Sequence, residues 1–486
     1  MRVLMVTGEL APVAKVGGLA DMTASLASAL AARGHDVRVA LPLYGHLDRA
    51  ALCIRPLLRL PPLPLRVGQQ VHVARWHLKG SGSAAVKVYL AENAALFGRP
   101  GVYTDAAGVG FPDAIARAAF HAQAALALPG LLDWAPDVIH AHDAASALAP
   151  LYRRRWWAGV EGVGAAGTLL TIHNLAHQLD APPDRLAELG LPAADAVYPG
   201  PLEFHGRLNV LKAGILEADL VNTVSPTYAR EVVADEVLGC GLDGVLRGRG
   251  GDFSGILNGA DLQAWNPARD PHLAARFDAT HPEGKRACRA ALAAELGLAD
   301  GDGPLAGFVG RLVEQKGTEV LLPLLEGLLR DGLRVVFLAT GEARWQVPLA
   351  AAAARHPGRL VFVDRFDEAL AHRVYAGCDL FLMPSRFEPC GLAQMYALRY
   401  GAVPVVRRTG GLADTVVDAA RPDGTGFAFA DFTPQALRRA LDRALALWED
   451  AAAWAALRAR GMRTVFPWDA SAAAYEALYA RLAPRS

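Results

Sequence analysis

The sequence has no excess of either charge. Among its 486 residues, Lys+Arg and Asp+Glu each number 49, so the formal net charge at pH 7 is zero. Proteins that bind nucleic acid or an anionic membrane surface carry a basic excess. We therefore expect neither kind of partner, although a neutral total still permits a local cluster of cations that binds a phosphate group.

Cysteine is scarce and long apolar runs are missing. The five cysteines, at positions 53, 240, 288, 378 and 390, contain no Cys-x-x-Cys pair, which argues against a disulfide framework and a zinc site. No apolar run reaches the roughly 20 residues that span a bilayer. The opening MRVLMVTGEL is typical of a first strand and not of a signal peptide. We therefore expect a cytoplasmic protein.

Short apolar runs alternate with alanine-rich amphipathic helices along the whole chain. The first half has such runs at 2–7, 36–42, 137–142, 168–174 and 219–225. The second half has them at 304–312, 334–340, 359–366, 379–384 and 402–407. Continuous apolar runs are typical of parallel strands that are covered on both faces. Their alternation with helices predicts doubly wound α/β sheets.

Two consecutive α/β series predict two Rossmann-like domains. We expect an N-terminal domain over 1–260 and a C-terminal domain over 261–465. A last helix, at about 468–482 within the segment 466–486, follows a Phe-Pro break. Packing on either domain is open to it, and we expect it to pack back on the N-terminal domain. Ligands of such sheets bind beyond the carboxyl ends of the strands. With two facing domains, the natural site is the cleft between them.

A glycine-rich segment, KVGGLAD, joins the first predicted strand to the first helix. Its paired glycines, Gly17 and Gly18, let the backbone approach a ligand closely, and the following helix N-terminus favours anions. Lys15 adds a point charge suited to a phosphate. The alternative is an ordinary turn with Asp21 as the helix N-cap.

Two cations follow the first strand of the second series, in the segment GRLVEQKG at 310–317. Arg311 and Lys316 could together replace a metal ion in stabilising a diphosphate leaving group. Lysine is rare in this chain, with six residues against 43 arginines, which draws attention to Lys316. The alternative is two cations that are simply solvated.

A carboxylate, Glu388, follows the apolar run at 379–384 in the segment PSRFEPCGL. At the end of a strand it would face a bound ligand, where a carboxylate can bind hydroxyl groups and stabilise positive charge on a sugar. The alternative is a glutamate near a helix N-terminus that interacts with the helix dipole.

Two histidines, His140 and His142, end another strand and share one face of it. A metal site would need further ligands, and Ala144 and Ala145 stand where they might follow, so we expect no metal here. Asp143 and His173 follow adjacent strands, and we expect them to meet.

Taken together, these segments resemble the bacterial glycogen and plant starch synthase family of retaining glycosyltransferases. They run in family order over nearly the whole chain. The matching segments are KVGGLAD (15–21), HAHD (140–143), TIHNLAHQ (171–178), LKAGILEAD (211–219), TVSPTYARE (223–231), GILNGAD (255–261), GRLVEQKG (310–317), PSRFEPCGLAQMYALRYG (384–401) and RRTGGLADTV (407–416).

The resemblance implies a GT-B architecture, in which two Rossmann-like doubly wound domains face a central cleft. It implies ADP-glucose as the donor, the non-reducing end of an α-1,4-glucan such as glycogen as the acceptor, and retention at the anomeric carbon. It implies no metal and no other cofactor. The oligomeric state is not predicted.

The resemblance also assigns roles to residues at matching positions. Five are expected to act in catalysis: Glu388, Asp143, His173, Arg311 and Lys316. The expected donor-binding residues are Lys15, Gly17, Gly18, Asp21, Arg311, Lys316 and, near the adenine, Phe366, together with the backbone amides of Cys390, Gly391 and Leu392. Tyr103 and Asn174 are expected on the acceptor side.

No nucleophile is evident in the sequence, so the resemblance favours attack on the same face as the departing diphosphate, which would take the acceptor proton. The family usually has Trp-His where Ala144 and Ala145 stand, and Ala393 replaces a more usual hydroxyl or branched residue. We therefore expect activity with altered acceptor preference. Two alternatives stay open: a related retaining transferase with another donor or acceptor, and a non-catalytic glucan-binding protein of the same fold.

Overall fold

The computed structural model describes residues 1–80, 85–106, 108–299, 301 and 303–482. By its internal contacts the chain divides into two compact units. The first unit comprises 1–224, 229–259 and 468–486, and the second comprises 225–228 and 260–467. The end of the predicted C-terminal segment, 483–486, lies outside the described residues.

The strands and helices are numbered in chain order. The strands are β1 (Arg2–Val6), β2 (Asp36–Pro42), β3 (Ile54–Pro56), β4 (Leu63–Val67), β5 (Gln70–Lys79), β6 (Val86–Glu92), β7 (Val138–His142), β8 (Gly167–Ile172), β9 (Asp180–Ala181), β10 (Glu203–Phe204), β11 (Arg207–Asn209), β12 (Leu220–Thr223), β13 (Phe253–Gly255), β14 (Leu305–Leu312), β15 (Arg334–Gly341), β16 (Leu360–Val363), β17 (Leu380–Met383), β18 (Val403–Arg407) and β19 (Phe427–Phe429). The helices are α1 (Gly18–Ala32), α2 (Ala94–Phe97), α3 (Ala114–Leu131), α4 (Leu148–Trp156), α5 (Leu186–Leu189), α6 (Val210–Glu217), α7 (Pro226–Ala234), α8 (Asp243–Gly248), α9 (Gly284–Leu296), α10 (Thr318–Leu321), α11 (Leu325–Arg330), α12 (Ala343–Arg355), α13 (Glu368–Gly377), α14 (Ala393–Arg399), α15 (Gly410–Thr415), α16 (Pro434–Trp448), α17 (Ala451–Arg463) and α18 (Trp468–Leu482). Within the described ranges, no helix is both long enough and apolar enough to cross a membrane.

The first unit is built on a mixed sheet in the order β13-β12-β8-β7-β1-β2-β6-β5-β3, with β4 paired to β5. The strands from β13 to β6 are parallel, and five of them were predicted as buried apolar runs. Strands β3, β4 and β5 extend the sheet in antiparallel fashion and were missed. They alternate apolar and polar residues, the pattern of a strand with one face exposed.

The C-terminal helix α18 belongs to the first unit, where it lies against α1 and β8. Two of its tyrosines are fully buried and reach polar groups in the sheet. The Tyr479 hydroxyl is 2.8 Å from His140 Nδ1, and the Tyr475 hydroxyl is 3.1 Å from Asn222 Nδ2. Buried polar groups need such partners, so this helix satisfies hydrogen bonds that the sheet alone leaves open.

The second unit has an all-parallel sheet in the order β16-β15-β14-β17-β18-β19. Its core packs apolar side chains of the strands against α10, α11, α12, α16 and α17. Five of its strands coincide, within a few residues, with the predicted runs. Because the strands are parallel, the carboxyl ends of β14, β17 and β18 lie at one edge of the sheet, where the predicted site segments begin.

Candidate active site

The glycine-rich segment of the first unit is held by a buried carboxylate, Glu9, just beyond β1. Glu9 Oε2 accepts the backbone N–H groups of Val16 and Gly17 at 2.7 and 2.9 Å. Helix α1 has Gly17, and not Asp21, as its N-cap. The N-cap alternative for Asp21 was therefore wrong; Asp21 lies in the first turn and pairs with Lys15 Nζ at 2.9 Å.

Glu9 was not predicted from the sequence, although its position offered a signal. Like Asp143 after β7 and Glu388 after β17, Glu9 is an acidic residue within five residues of the carboxyl end of a parallel strand. The Glu9 carboxylate already accepts hydrogen bonds from the backbone N–H groups of Val16 and Gly17. The N–H of Gly17 is therefore not available to a bound phosphate.

Gly17 and Gly18 are not required by packing. A Cβ atom at either position would meet no atom of the described chain within 4 Å. The absence of side chains at these two positions therefore leaves space beside the start of helix α1.

Asp143, His173 and Asn174 come together at the ends of β7 and β8. The backbone N–H of His173 donates to Asp143 Oδ1 at 2.6 Å, and the backbone N–H of Asn174 also bonds that carboxylate. The contact expected between Asp143 and His173 is thus made by the backbone of His173, and not by its imidazole.

Asp143 is strained and has a perturbed titration. Its backbone lies at φ 55° and ψ −179°, a conformation that is almost exclusive to glycine. Another residue in this conformation destabilises the fold by about 1–3 kcal/mol, and such residues are found mainly at functional sites. Burial raises the pKa of the Asp143 carboxyl to about 7, and the charge of Glu9 adds to the shift. Asp143 can therefore be protonated or ionised near neutral pH.

The histidines at this edge are neutral. Burial lowers the pKa of His173 to about 3 and holds the pKa values of His140 and His142 well below the ordinary range. His142 Nδ1 lies 3.2 Å from His173 Nε2, which fixes the orientation of the His173 ring. Across the described part of the chain, no group of three or more His, Cys, Asp or Glu side chains could hold a metal ion.

Tyr103 lies close to the same carboxylates. Burial of its hydroxyl raises the pKa of Tyr103 above the usual value, and the charges of Glu9 and Asp143 add to this. A Cβ atom at Gly8 would come within 2.9 Å of the Tyr103 oxygen. The first unit therefore brings Tyr103, Asp143 and the unexpected Glu9 together.

In the second unit, Lys316 and Glu388 form an ion pair. Lys316 Nζ lies 2.6 Å from Glu388 Oε2, and the buried Ser385 hydroxyl donates to the same oxygen at 3.0 Å. The solvated-cation alternative does not fit Lys316, which is paired. The helix-dipole alternative does not fit Glu388, which lies five residues before helix α14.

A glycine makes this ion pair possible. Gly317, directly after Lys316, has φ 70°, and a Cβ atom there would lie 1.9 Å from the Pro384 carbonyl oxygen. Only glycine allows such a close approach in the left-handed region. The two segments that carry Lys316 and Glu388 therefore touch through their backbones.

Arg311 lies near the carboxyl end of β14 and is exposed. Over the ranges that the structure describes, its guanidinium makes no hydrogen bond or ion pair. A planar cation of this kind is available to bind a phosphate through two parallel hydrogen bonds.

The turn after Glu388 is packed against the glycine pair of α15. Gly411 N–H donates to the Glu388 carbonyl at 3.1 Å, and a Cβ atom at Gly410 would lie 1.9 Å from the same oxygen. This turn carries Cys390, Gly391 and Leu392 into α14. Phe366 lies apart from these contacts, with 76% of its surface exposed.

Comparisons with known proteins agree with this architecture. Residues 2–248 match the family of the starch synthase catalytic domain, and residues 295–457 match the glycosyl transferases group 1 family. A glycogen synthase of Anaeromyxobacter dehalogenans is 47% identical over 492 residues and covers 100% of both chains. A glycogen synthase 2 of Geobacter sulfurreducens is 43% identical, covering 99% of this chain and 98% of its own.

A solved structure shares the complete fold. The catalytic domain of starch synthase IV from Arabidopsis thaliana, bound to ADP and acarbose, superposes with a TM-score of 0.92 at 33% identity. The match covers 100% of this chain and 99% of that one. The chain therefore belongs to the glycogen and starch synthase family and is a glycosyltransferase with the GT-B fold.

Proposed function

We propose that the chain transfers glucose from ADP-glucose to the non-reducing end of an α-1,4-glucan, with retention at the anomeric carbon. The observation that carries the proposal is the ion pair of Lys316 and Glu388 beside the strand end that bears the exposed Arg311. Full-length similarity to glycogen synthases, and to a starch synthase bound to ADP and acarbose, supports the choice of donor and acceptor.

Within the second unit, the cations act on the leaving group. Arg311 and Lys316 hold the diphosphate and stabilise the negative charge that grows on it as the glycosidic bond breaks. Glu388 contacts the transferred glucose and stabilises positive charge at the anomeric carbon. The amides of Cys390, Gly391 and Leu392 bind oxygens of the donor, and Phe366 lies near the adenine.

Within the first unit, Lys15 and the glycine pair serve the donor, since a Cβ atom at Gly17 or Gly18 would meet none of the described residues within 4 Å. Asp21 holds Lys15 in place through their ion pair. Asp143, His173, Asn174 and Tyr103 serve the glucose and the acceptor. Their backbone and side-chain hydrogen bonds fix these groups before a ligand arrives.

The reaction is balanced without a metal or other cofactor. The bond between the anomeric carbon and the diphosphate oxygen breaks, and the electron pair stays on the diphosphate. The acceptor O4 forms the new bond on the same face of the sugar, and its proton passes to the departing phosphate. The products are ADP and a glucan longer by one glucose unit.

Transfer of labelled glucose tests the proposal. Purified protein is incubated with glycogen and ADP-, UDP- or GDP-glucose, and label in the polymer is counted. We expect transfer from ADP-glucose, and a loss of about 100- to 1,000-fold in Glu388→Gln, which keeps the size of the side chain. Label in a small acceptor only would favour the related transferase.

No transfer above that of Glu388→Gln with any donor, together with retained glycogen binding, would favour the non-catalytic protein. The replacement of the family's Trp-His by Ala144 and Ala145 is the feature that keeps this alternative in the test. If transfer occurs, the same departure predicts an acceptor preference that differs from that of relatives with Trp-His.

A further inference from the structure

A buried glutamine lies directly behind the turn that we assign to the donor. Gln394 is in the first turn of α14 and is 0% exposed. Its Nε2 atom lies 2.8 Å from the Gly391 carbonyl oxygen, 3.1 Å from that of Cys390 and 3.1 Å from Thr415 Oγ1. A carbonyl oxygen accepts a hydrogen bond and therefore needs a donor, which the side-chain oxygen of glutamine cannot supply. The atom of Gln394 that faces the two carbonyls is therefore the NH2 nitrogen, Nε2.

This contact determines which way two peptide groups point. In a trans peptide the C=O and N–H bonds point in opposite directions. The Cys390 carbonyl shares its peptide with the Gly391 N–H, and the Gly391 carbonyl shares its peptide with the Leu392 N–H. Because both carbonyls face Gln394, both N–H groups face the other way.

The two N–H groups make no hydrogen bond within the described ranges of the chain. In the part of the chain that the structure describes, neither Gly391 nor Leu392 donates its backbone N–H to another residue. Gly391 has φ 71° and Leu392 lies in the right-handed helical region. Successive residues of opposite hand turn their N–H groups toward one point and form a concave site for an anion or another acceptor oxygen.

Glycine at position 391 belongs to the same arrangement. A Cβ atom there would lie 2.5 Å from Gln394 Oε1 and 3.1 Å from Glu388 Cγ. A side chain at position 391 would therefore clash with Gln394 and press against Glu388, so the buried glutamine requires glycine at this position.

We propose that Gln394 is a positioning residue of the donor site: its side-chain amide holds two carbonyls inward, so that the N–H groups of Gly391 and Leu392 face oxygens of the bound nucleotide sugar. This inference rests on the proposed function. It explains why a polar side chain is buried at this position, where a leucine or methionine of similar size would leave two carbonyls without donors.

The test compares three variants. Gln394→Met keeps the length of the side chain and removes both hydrogens, and Gln394→Glu offers at most one hydrogen. Thr415→Val is the control: it removes a hydroxyl that accepts from Gln394 Nε2 and donates to the Gly411 carbonyl at 2.6 Å, and it leaves the Cys390 and Gly391 carbonyls bonded to Gln394. Melting temperature and far-UV circular dichroism establish that each variant is folded, and Gln394→Glu serves where Gln394→Met does not fold.

We expect the Gln394 variants to lose about 30- to 100-fold in kcat/KM for ADP-glucose, while KM for glycogen changes little. The melting temperature should fall by only a few degrees, because buried carbonyls lose their donor, so the variants stay folded at the assay temperature. Thr415→Val should stay within about threefold of the wild type. Affinity for ADP, measured by calorimetry, locates the effect: a lower affinity assigns the N–H groups to the diphosphate, and an unchanged affinity assigns them to the glucose. Either result supports the inference.

Two results would overturn it. Folded Gln394 variants that behave like Thr415→Val would show that the amides do not depend on the glutamine. An activity loss that only follows the unfolded fraction would show a purely structural role. Failure of the proposed function is a separate outcome, because the wild type itself would then transfer no glucose from ADP-glucose.

Discussion

Lys316 and Glu388 lie 72 residues apart in the sequence, yet Lys316 Nζ is 2.6 Å from Glu388 Oε2. The cation that we assign to the diphosphate and the carboxylate that we assign to the glucose thus neutralise each other. The Glu388 side chain is almost completely buried, and the pair with Lys316 offsets the cost of burying its charge. The two residues should therefore respond to substitution as a unit.

The first prediction concerns the leaving group. Lys316→Ala removes a cation from the departing diphosphate, so kcat should fall by about 100- to 1,000-fold. KM for glycogen should change by less than about threefold, because the interaction develops mainly in the transition state. Initial rates at varied glycogen concentration measure both quantities.

Lys87→Ala, which removes an exposed lysine of β6, is the control and should match the wild type. Comparable losses of kcat and of glycogen affinity in Lys316→Ala would contradict the assignment.

The second prediction concerns the glycine pair before α1. Gly18→Ala adds one methyl group at a point where no atom of the described ranges lies within 4 Å. The melting temperature should stay close to that of the wild type, whereas ADP affinity should fall by at least about tenfold, because the methyl group would occupy space that the ligand needs. Calorimetric titration with ADP measures the loss.

Gly297→Ala is a useful comparison, since a Cβ atom there also meets no atom within 4 Å but the residue adopts φ 66° at a helix end. This variant should lose stability and keep ADP affinity. An unchanged ADP affinity in Gly18→Ala would remove the glycine pair from the donor site.

The third prediction concerns the pH dependence of stability. Burial and Glu9 raise the pKa of Asp143 from 3.8 to about 7 in the folded protein. Between these values the folded state binds more protons at this site than the unfolded state, so the contribution of Asp143 to stability falls as pH rises. The free energy of unfolding of the wild type, relative to Asp143→Asn, should therefore decrease from pH 5 to pH 8.

Denaturant unfolding of both proteins at several pH values measures this difference. Glu9→Gln removes the neighbouring charge and should lower the pKa of Asp143 in the folded protein, so the decrease should be smaller and should end at a lower pH. A relative stability that rises with pH would show that Asp143 is ionised well below neutral pH.

The fourth prediction concerns the C-terminal helix. Tyr479→Phe removes the hydroxyl that lies 2.8 Å from His140 Nδ1 and leaves a buried ring nitrogen without its partner. The free energy of unfolding should fall by about 1–3 kcal/mol, with little change in kcat. Tyr198→Phe, at a tyrosine that is 83% exposed, should have no measurable effect. Equal effects of the two substitutions would contradict the role of the buried hydroxyl.

The sequence predicted five parallel strands in each unit because each of these is a continuous apolar run, and it predicted site segments at their carboxyl ends. The parallel strands β6, β13 and β19 were not predicted. The sequence also did not predict β3 to β5: β3 and β4 are short and contain Pro56 and Pro64, and β5 alternates apolar and polar residues instead of forming a continuous apolar run. Asp143 was placed correctly beside β8, since adjacent parallel strands end together.

The missed residues act through contacts that sequence order does not reveal. Glu9 is important because the chain returns to it at Val16 and Gly17. Gln394 resembles any polar residue at a helix start until its distances to two carbonyls are known. The ion pair of Lys316 and Glu388 depends on Gly317 packing against Pro384, which no local pattern specifies.

A crystal structure of the ADP complex tests the central claim most directly. We predict phosphate oxygens within about 3 Å of Lys316 Nζ and of the Arg311 guanidinium, with the Gly391 and Leu392 N–H groups facing the ligand. A nucleotide bound elsewhere, or Lys316 and Arg311 both turned into solvent while ADP is present, would contradict the account.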